Sequence, residues 1–163
     1  MTIFGISGSM ALMLVGFGLR DSILDIARRQ YQELQHYTGT IIDDEDATDK
    51  ERQELDEFLK SNSQIERYTH VQFTKMSVPR NKSNISVYVY VPENLETFNK
   101  DVTLQDRKTK EKYKLTDAGT VISEKTATLT GLKVGDTMTI TKDGKNYETK
   151  IAAVTENYMG HYI

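Results

Sequence analysis

The residues best suited to chemistry are scattered. Three histidines occur, His36, His70 and His161. None forms a His-x-His or His-x-x-x-His pair, the spacing that puts two imidazoles on one metal. The acidic run Asp43-Asp44-Glu45-Asp46, with Asp49 beyond it, is the other cation candidate. Counted from Asp44, the sixth loop position is Asp49 and the twelfth Leu55. A calcium loop needs glycine and glutamate there, so the run reads as a solvated linker leading into a helix. Ser7, Ser9, Ser22 and Ser123 lie outside any Gly-x-Ser-x-Gly elbow. Ser123 is expected to cap a helix. Gly5, Gly8, Gly16 and Gly18 are followed by no P-loop lysine. The chain has no cysteine, which excludes disulfides, thiolate metal sites and a thiol nucleophile. These residues predict no enzymatic site, no cofactor and no metal.

Two surface features remain. Lys100, Arg107, Lys108, Lys110, Lys112 and Lys114 make a local basic excess. It reads as a solvated hairpin, with contact to lipid headgroups or a wall polymer as the functional alternative. Tyr88 and Tyr90 share one strand face and are expected to be covered by another element rather than to form a ligand platform. Overall, 21 basic residues face 24 acidic ones, for a net charge of -3. That balance argues against a nucleic-acid binder. With 37% hydrophobic residues in 163, the chain can bury one ordinary core.

The elements that would position these groups follow from patterning. Residues 3–19, IFGISGSMALMLVGFGL, are 17 in a row without charge. As a helix they would span about 25 Å, just short of a hydrocarbon core of about 30 Å. A signal peptide would want a basic start and a small-residue cleavage site, where this chain has Met1-Thr2 and Arg20-Asp21. A buried core helix has the right length, but its interior glycines would each cost up to about 1 kcal/mol. The preferred expectation is a membrane helix whose opening residues precede Met1. Gly5, Gly8, Gly16 and Gly18 would then allow close packing against neighbouring membrane helices.

Residues 1–19 are thus assigned to a partial transmembrane helix and 20–39 to a helical stalk. The stalk carries an apolar stripe of Ile23, Leu24, Ala27, Tyr31 and Leu34, with Gly39 as its stop. Residues 40–61 form an acidic linker and a short helix. Thr48 and Glu51 have capping-box spacing there, and Leu55, Phe58 and Leu59 are expected on the buried side. Residues 62–163 form a β-rich domain. Strands are predicted at 68–78, with a slip near Thr74-Lys75, and at 85–91, where Ile and Val alternate with Ser86, Tyr88 and Tyr90. Short strands at 102–105 and 112–115 read as a charged hairpin. A strand at 121–122 leads to a helix over 124–130, closed by Gly131. Gly135-Asp136 then turn the chain into a hairpin over 137–141 and 146–154, closed by Asp143-Gly144. The fold class is α+β: a long N-terminal helix and stalk, then a mainly antiparallel sheet or small open barrel with short helices. The sequence ends in mid-pattern at residues 160–163, and the native protein is expected to continue.

Two stretches together carry a resemblance. IFGISGSMALMLVGFGLRDSILDI resembles the first membrane helix and outgoing stalk of FtsX-like ABC-transporter permeases. VISEKTATLTGLKVGDTMTI, with the hairpin and ENYMGHYI after it, resembles their extracytoplasmic MacB-like periplasmic core domain. The two cover about two-fifths of the chain. The resemblance implies a permease in the cell membrane with this domain on the extracytoplasmic side and a cytoplasmic ATPase as partner. It further implies that the domain relays ATP-driven motion and engages an extracellular peptide, lipid or wall component. The alternative is a membrane-anchored binding or adhesin module with no ATPase.

Overall fold

Alternation of β-branched and polar residues from residue 71 to 92 builds the longest hairpin of the fold. A computed structural model of the chain describes residues 2–44, 46–80 and 83–159. The expectations placed on Glu45, His161 and residues 160–163 lie outside the described residues. Strand β1 (Val71–Arg80) pairs antiparallel with β2 (Ser83–Pro92) in one unbroken register, Val71 facing Pro92 and Arg80 facing Ser83. The slip expected at Thr74-Lys75 is therefore absent. Thr74 and Met76 alternate with Phe73 and Lys75, so the period of two runs straight through.

Strands β6 (Thr137–Lys142) and β7 (Lys145–Thr155) form the second hairpin, with Thr137 opposite Lys150. Asp143 and Gly144 close it at φ of 50° and 73°, as a two-residue turn with both angles positive demands. Strand β5 (Thr120–Ser123) lies parallel to β7, giving the sheet order β2-β1-β6-β7-β5. The curled five-stranded sheet, with short helices and the long N-terminal helix, is the expected α+β class.

Helix α4 (Glu124–Thr130) links β5 to β6. Ser123 caps it, its Oγ accepting from Thr126 N at 3.3 Å, and Gly131 ends it in the left-handed region at φ 76°. The core is Val78, Val87, Val89, Ile122, Met138, Ile140 and Ile151, with Ala127 of α4 and Leu132 packed on it. Each large member contributes about 1.5–3 kcal/mol by leaving water. Ser86, Tyr88 and Tyr90 take the opposite face of β2, as the alternation required.

Two smaller helices join these pieces. Helix α2 (Asp49–Ser61) has the full Thr48–Glu51 capping box. Leu55 and Leu59 are half-buried, but Phe58 is 57% exposed, so the third residue of the expected apolar face turns to solvent. Helix α3 (Leu95–Asp101) is capped by Asn94, and strands β3 (Leu104–Gln105) and β4 (Lys112–Tyr113) form the charged hairpin in a separate two-stranded sheet.

The N-terminal helix α1 runs Thr2–Arg28. From residue 5 on, its apolar side chains face outward all round. Consecutive Leu12, Met13, Leu14 and Val15 are each at least 65% exposed, and four successive residues cover every face of a helix. A Cβ added at Gly5, Gly8, Gly16 or Gly18 would meet nothing within 4 Å. Among the described residues no helix is long and apolar enough to cross a membrane. The uncharged part of α1 from residue 5 to 19 rises about 22 Å before Arg20 and Asp21.

One glycine is fixed by close approach rather than by a turn. A Cβ on Gly119, at φ 157°, would stand 2.5 Å from the Lys150 carbonyl oxygen. Gly119→Ala should therefore cost roughly 1–3 kcal/mol by overpacking. Gly131→Ala, whose Cβ meets open space, should cost only about 1 kcal/mol for its backbone angle. Urea unfolding of both variants checks the order, and equal losses would refute it.

Candidate functional site

The stalk meets the sheet domain at a polar joint. After Arg28 the helix widens into a π-helical turn, Arg29–Leu34, and Gln35 N donates to Gln30 O at 3.0 Å. The residues of this turn, Arg-Gln-Tyr-Gln-Glu-Leu, include neither Gly nor Pro. The widening coincides with docking: Gln30 and Leu34 are 2% and 3% exposed against the domain. π-Turns inside helices gather at functional sites.

Backbone bonds then bind the stalk end to the entry of β3. Thr103 N donates to Leu34 O at 2.7 Å, His36 N donates to Asp101 O at 2.8 Å, and Gln35 bridges Val102 in antiparallel sense. The His36 ring shares a hydrogen bond with Thr103 Oγ1 at 2.8 Å. This contact gives the histidine a structural partner. The expected apolar stripe is only partly used. Leu34 docks, while Ile23, Leu24 and Tyr31 are exposed and Gln30 takes the central place.

At the centre of the joint lies Glu156, just past the end of β7. Its side chain is 1% exposed. Gln105 Nε2 donates to Oε2 at 2.8 Å, Lys110 Nζ to the same oxygen at 2.6 Å, and the Tyr158 hydroxyl to Oε1 at 2.5 Å. Arg29 Nη1 stands 4.0 Å from Oε1, and Arg29 Nε donates to Asp25 Oδ2 at 2.7 Å. Gln30 Oε1 accepts from Tyr158 N at 2.9 Å. Two cations thus face two carboxylates, one buried and one exposed, across three segments of chain. Arg107 lies 5.9 Å over the Tyr158 ring and 3.6 Å from Glu124, at the edge of an open groove between α4 and Tyr158.

The electrostatics follow the geometry. Burial pushes the Glu156 carboxyl up, but the bonds from Lys110, Tyr158 and Gln105 outweigh it and hold the group below its ordinary value. Burial, then the adjacent Glu156, raises Tyr158. Burial, then the charges of Asp106, Glu111, Glu124 and Glu156, pushes the Tyr113 phenol up to about 12. Its hydroxyl donates to Val154 O at 2.8 Å. A second carboxylate hub ties α2 to the approach of β1. Asp56 accepts from Lys60, Tyr68 and His70, and those bonds, Lys60 first, lower it to about 2.

The structure scatters the other residues singled out by the sequence. Asp43 pairs with Arg52 at 3.6 Å, and Asp44 accepts from the Asp46 backbone. Among the described residues no three His, Asp or Glu side chains converge as metal ligands. Ser9 and Ser22 donate back to the carbonyls of Gly5 and Gly18 within their own helix. Gly131, Gly135, Asp143 and Gly144 all adopt positive φ in turns, and Asp136 Oδ2 accepts from Lys133 N at 2.8 Å. Tyr88 and Tyr90 are flanked by Phe73 across the hairpin, at 5.0 and 4.9 Å between ring centroids. Sequence reasoning missed Gln30, Gln105, Glu156 and Tyr158. Gln30 and Tyr158 are 128 positions apart, and no local spacing links them. No protein-family model matches the chain, and no curated protein matches it.

Glu156→Gln should destabilise the chain by roughly 1.5–3 kcal/mol, because Lys110 and the Tyr158 hydroxyl would lose a charged acceptor, while the relieved desolvation of the carboxylate and the exposure of Lys110 and Arg29 limit the loss. Thermal unfolding measures the loss, and a change under 1 kcal/mol would show that the pair is energetically superficial. Glu156 and Asp56 both have lowered folded values. Their stabilisation is therefore complete above the ordinary carboxylate range and fades as pH falls through the folded values, near 2 for Asp56. The unfolding midpoint should be level at neutral pH and decline below about pH 4. Asp56→Asn should shallow that decline, and an unchanged acid limb would contradict the assignment.

Proposed function

We propose that the chain is the membrane-proximal, extracytoplasmic part of an FtsX-like ABC-transporter permease, and that its role is mechanical. The observation that carries this reading is the contrast along one helix. From Ile6 to Leu24 the large apolar side chains of α1 are 55–76% exposed. The next turns, by contrast, are welded to the sheet domain through Gln30, Leu34 and the Glu156 hub. An apolar helix bare on every face calls for lipid or other membrane helices around it. Arg20 and Asp21 mark the level at which it would leave them. The order of Gly-rich helix, stalk, short capped helix, Lys-Val-Gly-Asp turn and hairpin supports the permease family.

In this reading a cytoplasmic ATPase tilts or shifts the membrane helices, and α1 carries the displacement outward. A continuous helix transmits tilt only if its far end cannot swivel. The joint prevents swivelling by holding the stalk at three levels: His36 to Asp101, Leu34 to Thr103, and Gln30 to Tyr158. The sheet domain would then engage an extracellular peptide, lipid or wall component. A second reading, a membrane-anchored binding module with no ATPase, draws on the half-exposed aromatic cluster of Phe73, Tyr88 and Tyr90. Co-purification of the full-length protein with an ATPase separates the two.

Inserting Gly-Pro after Ser22 in the full-length permease breaks the helix below the joint. ATP hydrolysis and assembly should survive while transport or substrate engagement is lost. Unchanged activity would remove the coupling role.

A further inference from the structure

The β3–β4 hairpin runs back along the stalk. The pairing of Gln35 with Val102 is antiparallel, and its flanking bonds join His36 to Asp101 and Leu34 to Thr103. As the stalk climbs from residue 29 to 36, the chain from 101 to 105 therefore descends. Gln105 arrives at Glu156, beside Arg29. The turn over residues 106–111 is thus directed toward the apolar end of α1. Arg29 stands nine residues past Arg20, about 14 Å along the helix.

This turn is stiff and basic. Asp106 Oδ1 accepts from the backbones of Lys108 and Thr109, each at 2.8 Å, and Asp106 N donates to Glu111 O at 2.9 Å. From 105 to 115, five basic residues stand against two acidic ones, in a chain whose net charge is -3. Arg107 is committed to Glu124 and Lys110 to Glu156. Lys108, Lys112 and Lys114 are exposed and belong to no ion pair among the described residues. Cations near a membrane surface are drawn to anionic lipid, with an attraction that decays over a Debye length of about 8–10 Å.

We infer that the β3–β4 hairpin is a docking surface for anionic phospholipid headgroups at the leaflet where α1 emerges, with Lys108 at the turn leading the contact and Lys112 and Lys114, on the chain that climbs back, adding to the field behind it. The inference rests on the membrane reading of α1 proposed above. Its occupant is set by charge complementarity and by the direction of the hairpin. Docked headgroups would brace the sheet domain against the bilayer beside its own stalk.

The native chain has no cysteine, so Thr109→Cys carries a single bimane label at the turn. The full labelled chain is placed in nanodiscs of phosphatidylcholine alone or rich in phosphatidylglycerol, with headgroup spin-labelled lipid as quencher. Quenching should be several-fold stronger in the anionic discs. That difference should vanish in high salt and in the Lys108→Gln/Lys112→Gln/Lys114→Gln variant, whose unfolding midpoint should match the parent. Equal quenching in both lipids, with the chain firmly embedded, would overturn the inference and leave the membrane reading intact. Failure to enter either disc would overturn both. A response to soluble poly(glycerol phosphate) with none to anionic lipid would give the surface to a wall polymer and also overturn the inference.

Discussion

A carboxylate removed from water has to be paid for in partners, and in this chain Glu156 sets that demand. Its two oxygens draw together Lys110 and Gln105 of the charged hairpin, Tyr158 just beyond β7, and Arg29 of the stalk. Among the described residues the main apolar cluster does not include these segments, and Leu34 and Leu104 are the buried apolar side chains near them. The hydrophobic core lies within the sheet, under α4. The contact between helix and domain is therefore largely directional. Such contacts add little net stability compared with a packed apolar pair, but they fix one orientation and punish the loss of a single member.

Placement of the hub at the end of β7 has a further effect. Strand β7 sits between β6 and β5, so it is inside the sheet and braced on both sides. A load applied at Arg29 or Gln30 would reach the domain next to an interior strand. The backbone bonds of Leu34 and His36 load the β3 entry instead, which is a small separate sheet. The main sheet and the small one are thus contacted at different levels of the same stalk.

The parts legible in the sequence are those with local causes. Asp143-Gly144 declares its turn by backbone angle. Ser123 and Gly131 bracket α4, and Thr48 with Glu51 opens α2. Each signal acts within a few residues. What escaped were the long-range consequences. Phe58 has the spacing of a buried residue but finds nothing above it, whereas Gln30 looks like a surface residue and is enclosed. The straight run of β1 through Thr74-Lys75 is enforced by continuous pairing with β2, which outweighs a locally uneven pattern. Gly119 needed the position of Lys150 to be known. The Glu156 hub requires three distant stretches at once, and no window of sequence contains it.

The π-turn sets an azimuth. An α-helix advances its side chains by about 100° per residue, and a π-turn accommodates one residue more than an α-turn would. Arg29–Leu34 therefore works as an indexing step between two rigid bodies. With one residue fewer, the same exposed apolar helix would present the sheet roughly a third of a revolution away. The heading of the sheet domain relative to α1 thus rests on a single residue of slack in a turn that contains neither glycine nor proline.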